Sequence, residues 1–180
     1  HVLLGDYPTS EPQLQLRLPT ERYYEEEGRA ELTPRDFGIL MHRVFENAAT
    51  TDEIYMAIEA MTQDGVLDEK EAPRLRELVE KALADPVTAE WFGGRWQVVR
   101  NENEIILPGS GTTRRPDRVM TDGERAVVVD YKFGDRETAR HRKQIREYLR
   151  LLRQMGYTRT EGYLWYVRLG RTERVEEKED

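Results

Sequence analysis

Asp117, Asp130 and Lys132 are the residues of this chain whose types and spacing most readily do chemistry. Pro116-Asp117 is followed by twelve residues and then by Asp130-Tyr131-Lys132. Val127, Val128 and Val129 lead into Asp130, and a β-branched run of this kind reads as a strand. Alternate side chains of a strand share a face, so Asp130 and Lys132 project together and Tyr131 projects away from them. Arg118-Val119-Met120 forms a second short apolar stretch, ending at Thr121-Asp122-Gly123, a hairpin-type turn signal. Two strands joined there bring Asp117 close to Asp130 and Lys132. Carboxylates are hard oxygen ligands suited to Mg²⁺, with Mn²⁺ as a substitute. A bound Mg²⁺ activates water and stabilises a phosphodiester transition state. A lysine alongside neutralises developing phosphate charge or orients the attacking water.

Pro116, Asp117, Asp130 and Lys132 match the PD-(D/E)-x-K nuclease signature literally. The run Val128 to Gly134, followed by Gln144-x-x-x-Tyr148, resembles the nuclease domain of the RecB/AddA-type (UvrD-like) bacterial helicase–nucleases. Gly38-Ile39-Leu40-Met41-His42 is similar to that family's Gly-x-x-x-His helix. Gly162-Tyr163-Leu164-Trp165-Tyr166 resembles the strand that follows its Gln/Tyr helix. The pieces stand in the family's order over roughly residues 33 to 170. The resemblance implies an α/β fold of the restriction-endonuclease type, a mixed central sheet flanked by helices with an N-terminal helical part covering the site. It implies metal ligation by His42, Asp117, Asp130 and the Tyr131 carbonyl, and catalytic roles for Asp117, Asp130, Lys132 and Gln144. Glu104 and Tyr148 are further candidates, at the site or supporting a ligand. Tyr148 also sits in an apolar stripe, where core packing is the ordinary role.

The same resemblance implies a Mg²⁺-dependent deoxyribonuclease, an exonuclease acting in double-strand-break repair and recombination in the bacterial cytoplasm. Its implied partners are single-stranded DNA ends, the helicase domains of a parent chain and an AddB-like subunit. ATP would bind only in those helicase domains, because Gly-x-x-x-x-Gly-Lys is missing here. The chain opens with His1, and the expectation is a C-terminal piece of a longer protein. Two positions depart from the family pattern: Arg114 stands where Gly is usual, and His141 where Tyr is frequent. The alternative class is a catalytically silent, nuclease-like DNA-binding or docking module of a helicase complex. A free-standing restriction-type endonuclease fits the core signature but not the flanking motifs.

Composition narrows the field. A chain of 180 residues suits one domain with a sizeable core. Cysteine is absent, which excludes disulfides, cysteine metal sites and the iron–sulfur cluster of AddB-type relatives. No apolar run is long enough to span a bilayer. The net charge is −7, yet Gly111 to Arg174 holds sixteen Lys and Arg against nine Asp and Glu. Phosphate responds to local potential, so this basic half suits nucleic acid, and an ordinary solvated surface accounts for it as well. Candidate DNA contacts are Arg115, Arg118, Arg142 and Arg146.

The elements that must position these residues follow from local patterns. Residues 1–30 read as an irregular lead-in or linker end, and 31–180 as the nuclease domain, helical over 31–95 and sheet core over 96–180. Thr33-Pro34 starts a helix, with Thr33 as N-cap and Pro34 in its first position. Further helices are expected from Thr51, over 69–84 and over 86–92. Expected strands are 96–100, 104–107, 118–120, 126–132, 162–169 and 172–176. A long helix is expected over 136–155, with Ile145, Tyr148, Leu149, Leu152 and Met155 on one side and Arg142, Arg146, Arg150 and Arg153 opposite. Gly156 is the stop signal.

Overall fold

The valine run builds the centre of the sheet. A computed structural model of the protein describes residues 32–101, 105–106, 113–134 and 139–177. The expected lead-in at 1–30, Glu104 and the expected start of the long helix at 136 lie outside these residues. Among the described residues, α1 (Pro34–Glu46), α2 (Thr51–Gln63), α3 (Ala72–Ala82) and α4 (Pro86–Trp91) come first. Strands β1 (Val98–Asn101), β2 (Ile105–Ile106), β3 (Thr113–Arg114), β4 (Arg118–Asp122) and β5 (Arg125–Lys132) follow. Then come α5 (Ala139–Gln154), β6 (Arg159–Tyr166), a 3-10 turn (Val167–Leu169) and β7 (Arg171–Arg174). Five strands form one sheet in the order β1-β4-β5-β6-β7, and β2 pairs with β3 separately. β5 runs antiparallel to β4 and parallel to β6, with α5 as the crossover between the parallel pair. This is the mixed, helix-flanked sheet expected from the sequence.

Both faces of β5 are covered, which is why it reads as a continuous apolar run and not as an alternating one. Val127, Val129 and Tyr131 pack with residues of α1 to α4. Ala126 and Val128 pack with Ile145, Tyr148, Leu149, Leu151 and Leu152 of α5. The helices start where their caps dictate. The Thr33 hydroxyl accepts from Asp36 N, and the Asp36 carboxylate accepts from Thr33 N at 2.8 Å, so each residue satisfies one of the other's backbone donors.

Arg118 corrects an expectation. It was a candidate DNA contact, but its side chain is 0% exposed. Nη1 donates to Ala48 O at 2.7 Å and Asn101 Oδ1 at 3.1 Å. Nη2 donates to Ala49 O and Trp91 O, each at 2.7 Å, and the guanidinium stacks 4.0 Å above the Phe92 ring. Burial lowers its pKa, but a guanidinium keeps its charge throughout. Arg118 therefore pins the loops after α1 and α4 to the first residue of β4.

Other boundaries move for local reasons. The β4–β5 loop is Gly123-Glu124, one step later than the turn signal suggested, and Gly123 adopts φ 58° there. β6 begins at Arg159 and stops at Tyr166, because Tyr166 must pair with Arg171 and the intervening residues turn. The last expected strand ends at Arg174. Met155 is 63% exposed, since α5 ends one residue earlier and Gly156 turns the chain away at φ 101°.

Candidate functional site

Strand alternation places Asp130 and Lys132 on the α5 side of β5, with the Tyr131 ring on the other. The structure joins the first two directly through Lys132 Nζ and Asp130 Oδ2. The Tyr131 ring packs into an aromatic cluster, 5.9 Å from Phe45 and 5.4 Å from Trp165 between centroids. The β4–β5 ladder pairs Arg118 with Val129, so one step further Asp117 stands opposite Asp130. Asp117 Oδ2 accepts the Tyr131 N–H, which fixes the carboxylate at the strand end.

His42 arrives from α1. Its Nε2 lies 3.8 Å from Asp117 Oδ1, and its ring stands edge-on to Phe133 at 5.5 Å. Gly38, one turn earlier, makes this approach close: a Cβ there would meet Phe133 Cβ at 3.4 Å. Glu46 was not foreseen. One turn after His42, its Oε2 lies 3.6 Å from His42 Nδ1. A carboxylate on that side favours the Nδ1–H tautomer and leaves the Nε2 lone pair toward Asp117. The i, i+4 spacing on a single helix was the available signal.

Asp130 is 4% exposed. Burial pushes its carboxyl up to about 6, repulsion from Asp117 adds to this, and Lys132 opposes it. A cation relieves that condition. The oxygen and imidazole donors of Asp117, Asp130 and His42 suit a hard divalent ion. Among the described residues, however, no three such side chains are gathered as a ready coordination group. Asp117 Oδ2 is held by the Tyr131 amide, Asp130 Oδ2 by Lys132, and His42 Nε2 remains 3.8 Å from Asp117. An ion at Asp130 Oδ2 would compete with Lys132, while Asp117 Oδ1 and His42 Nε2 already stand at a separation that two ligands of one ion can span.

α5 packs on the face of β5 that bears Asp130 and Lys132. Gln144 Nε2 donates to Tyr148 Oη at 2.9 Å, and Tyr148 is 1% exposed within the α5 core. Tyr148 thus takes the packing role open to it and offers its hydroxyl to Gln144. His141, in the first turn of α5, has its pKa lowered by burial and then by the positive charge of Lys132. Its Nδ1 is buried without a hydrogen-bond partner among the described residues. The early turns of α5 therefore lie within electrostatic reach of Lys132. Arg142 is engaged by Glu173 of β7 through Nε and through Nη2 at 3.1 Å. Arg146 Nε donates to Glu176 O at 3.2 Å, and Arg115 is exposed.

A mixed sheet flanked by helices, with paired carboxylates and a lysine where two antiparallel strands begin and end, defines a restriction-endonuclease-like α/β nuclease fold. The chain belongs to the PD-(D/E)XK nuclease superfamily, whose sequence profile matches residues 13–180. No curated protein matches the sequence. No helix of the described residues is long and apolar enough to cross a membrane.

Proposed function

We propose that this domain hydrolyses DNA phosphodiester bonds with a divalent cation, Mg²⁺ or Mn²⁺ in its place, held by His42, Asp117, Asp130 and the Tyr131 carbonyl. The observation that carries this is the convergence of three distant segments: His42 of α1 lies 3.8 Å from Asp117, and Asp117 stands across from the Asp130–Lys132 pair. The cation supplies Lewis acidity, lowering the pKa of a water and shielding phosphate charge. The protein supplies position. Asp130 and Asp117 give the negative charge that retains the ion, and Glu46 turns the imidazole. Lys132, tethered by Asp130, presents its ammonium to a phosphate oxygen or to the attacking water. Gln144, whose Nε2 donates to Tyr148 Oη at 2.9 Å, takes its role at the phosphate or water from the motif spacing on α5.

The finer reading is an exonuclease domain at the C-terminus of a UvrD/AddA-like helicase, acting on single-stranded ends in double-strand-break repair beside an AddB-like subunit. Its support is the order and spacing of Gly38…His42, Asp117, Asp130-Tyr131-Lys132 and Gln144…Tyr148. The test is cleavage of labelled single-stranded DNA with Mg²⁺. Asp130→Ala is expected to lower the rate by at least roughly a hundredfold, and full retained cleavage would refute the ligand assignment. A silent DNA-binding module is the second reading, favoured by the side-chain ligands not being gathered among the described residues. DNA binding by the wild-type protein without metal-dependent cleavage selects it.

A further inference from the structure

A second basic feature lies along α5, beyond the site. Arg146, Arg150 and Arg153 of α5, with Arg174 of β7, line a groove of about 570 Å³ between the helix and the sheet edge. The helical rise sets the three α5 arginines about 6 and 4.5 Å apart along the axis. Glu161, also at the groove, is committed to Arg125, whose Nε donates to it at 2.8 Å. Among the described residues, the other carboxylates there belong to the segment after β7. Val175 anchors that segment, 4% exposed and donating its N–H to Gly162 O at 2.8 Å. Beyond it, Glu177 Oε2 lies 2.9 Å from Arg153 Nη1, and Glu176 Oε1 lies 3.2 Å from Arg174 Nε. Glu176 is 78% exposed on its side chain, and exposed pairs of this kind are held weakly. Arg150, exposed at the middle of the row, makes no ion pair among the described residues.

We propose that this groove binds the sugar–phosphate backbone of a DNA strand leading to the Asp130–Lys132 site, and that Glu176 and Glu177 occupy it as an internal anionic competitor. Guanidinium forks match phosphate oxygens in two-point contacts. The row continues down the helix whose first turns stand near Lys132, so a strand engaged at the site meets the arginines in succession. The identity of the polyanion rests on the nuclease reading; the groove and its competitor do not.

The experiment is salt-dependent binding of fluorescent oligothymidylate to the whole chain in EDTA, read by anisotropy. Arg150→Gln with Arg153→Gln should flatten the slope of log affinity against log salt by about 1.4, or about 0.7 for each lost phosphate contact, and weaken binding roughly tenfold at moderate salt. Glu176→Gln with Glu177→Gln should tighten binding severalfold. Misfolding cannot produce this opposite response. An unchanged slope in the arginine pair, or no tightening in the glutamate pair, overturns the proposal. Because no cleavage occurs in EDTA, the two readings fail separately. A wild type that binds through the groove yet never cleaves with Mg²⁺ removes the nuclease reading alone. Cleavage with an unchanged salt slope removes the groove alone.

Discussion

The two faces of the sheet are built in different ways. On the face bearing Val127, Val129 and Tyr131, four helices and an aromatic cluster leave Phe45, Trp91 and Trp165 at most 1% exposed. Arg118 ties two helix-end loops to the strand that follows Asp117. On the other face, among the described residues, a single helix covers Ala126 and Val128, and the strand's last residues on that side are the charged pair Asp130 and Lys132. One face holds position; the other offers charge to a ligand. The proposed site draws on both, since His42 comes from the layer of four helices and Gln144 from α5. A carboxylate as buried as Asp130 is offset there by the Lys132 ammonium paired with it.

The comparison breaks most sharply at Arg118. Replacing it with Met deletes the donors to the buried Trp91 O and the part-buried Ala49 O, so Arg118→Met should cost at least about 3 kcal/mol in urea unfolding. Arg150→Gln, an exposed arginine on the other face, should change stability by less than about 0.5 kcal/mol. Equal effects would mean that the helical layer is not pinned by Arg118 and that the two faces do not differ as described.

The charged face responds to pH. The Asp130 carboxyl is pushed up from its ordinary 3.8 to about 6, so the folded state holds this proton more tightly than the unfolded chain does. The stability so gained is complete below about pH 4 and is lost as pH rises through about 6. Asparagine has no such proton to lose. In metal-free buffer, Asp130→Asn should therefore melt higher than wild type above pH 6, by on the order of 2 kcal/mol, and the two should converge toward pH 4. With Mg²⁺ at neutral pH the order should reverse, since only the wild type gains from the ion. A constant difference between pH 4 and 8 would show that burial does not strain this carboxylate.

How much of this was legible depended on whether the signal was local. Asp117, Asp130 and Lys132 were readable because strand alternation and a hairpin turn fix their register from neighbouring residues alone. Thr33 and Pro34 announced α1 in the same way. Arg118 was misread because a guanidinium directly after a site aspartate looks like a phosphate contact. Only the loops at Ala48, Ala49 and Trp91, distant in sequence, reveal it as a buried tie. Met155 fitted the helical stripe and still lies in solvent, because periodicity does not say where a helix stops. Glu46 was within reach by i, i+4 spacing from His42, but such pairs are common on exposed helix faces.

A substitution at Gly162 moves α5 without touching a charge. Gly162 of β6 lies under the helix: a Cβ there would stand 2.4 Å from Ile145 Cγ2 and 3.2 Å from both Leu149 methyls. Ile145 is β-branched and fully buried, so it cannot swing aside, and the helix must shift. Gly162→Ala should therefore cost about 1–2 kcal/mol. Ile145 directly follows Gln144, so the same shift displaces Gln144 relative to Lys132 and leaves His42, Asp117 and Asp130 in place. Cleavage should fall while Mn²⁺ binding, followed by calorimetry, stays at the wild-type value. Loss of both together would place α5 in the ion-holding half of the site, and loss of neither would remove Gln144 from the reaction.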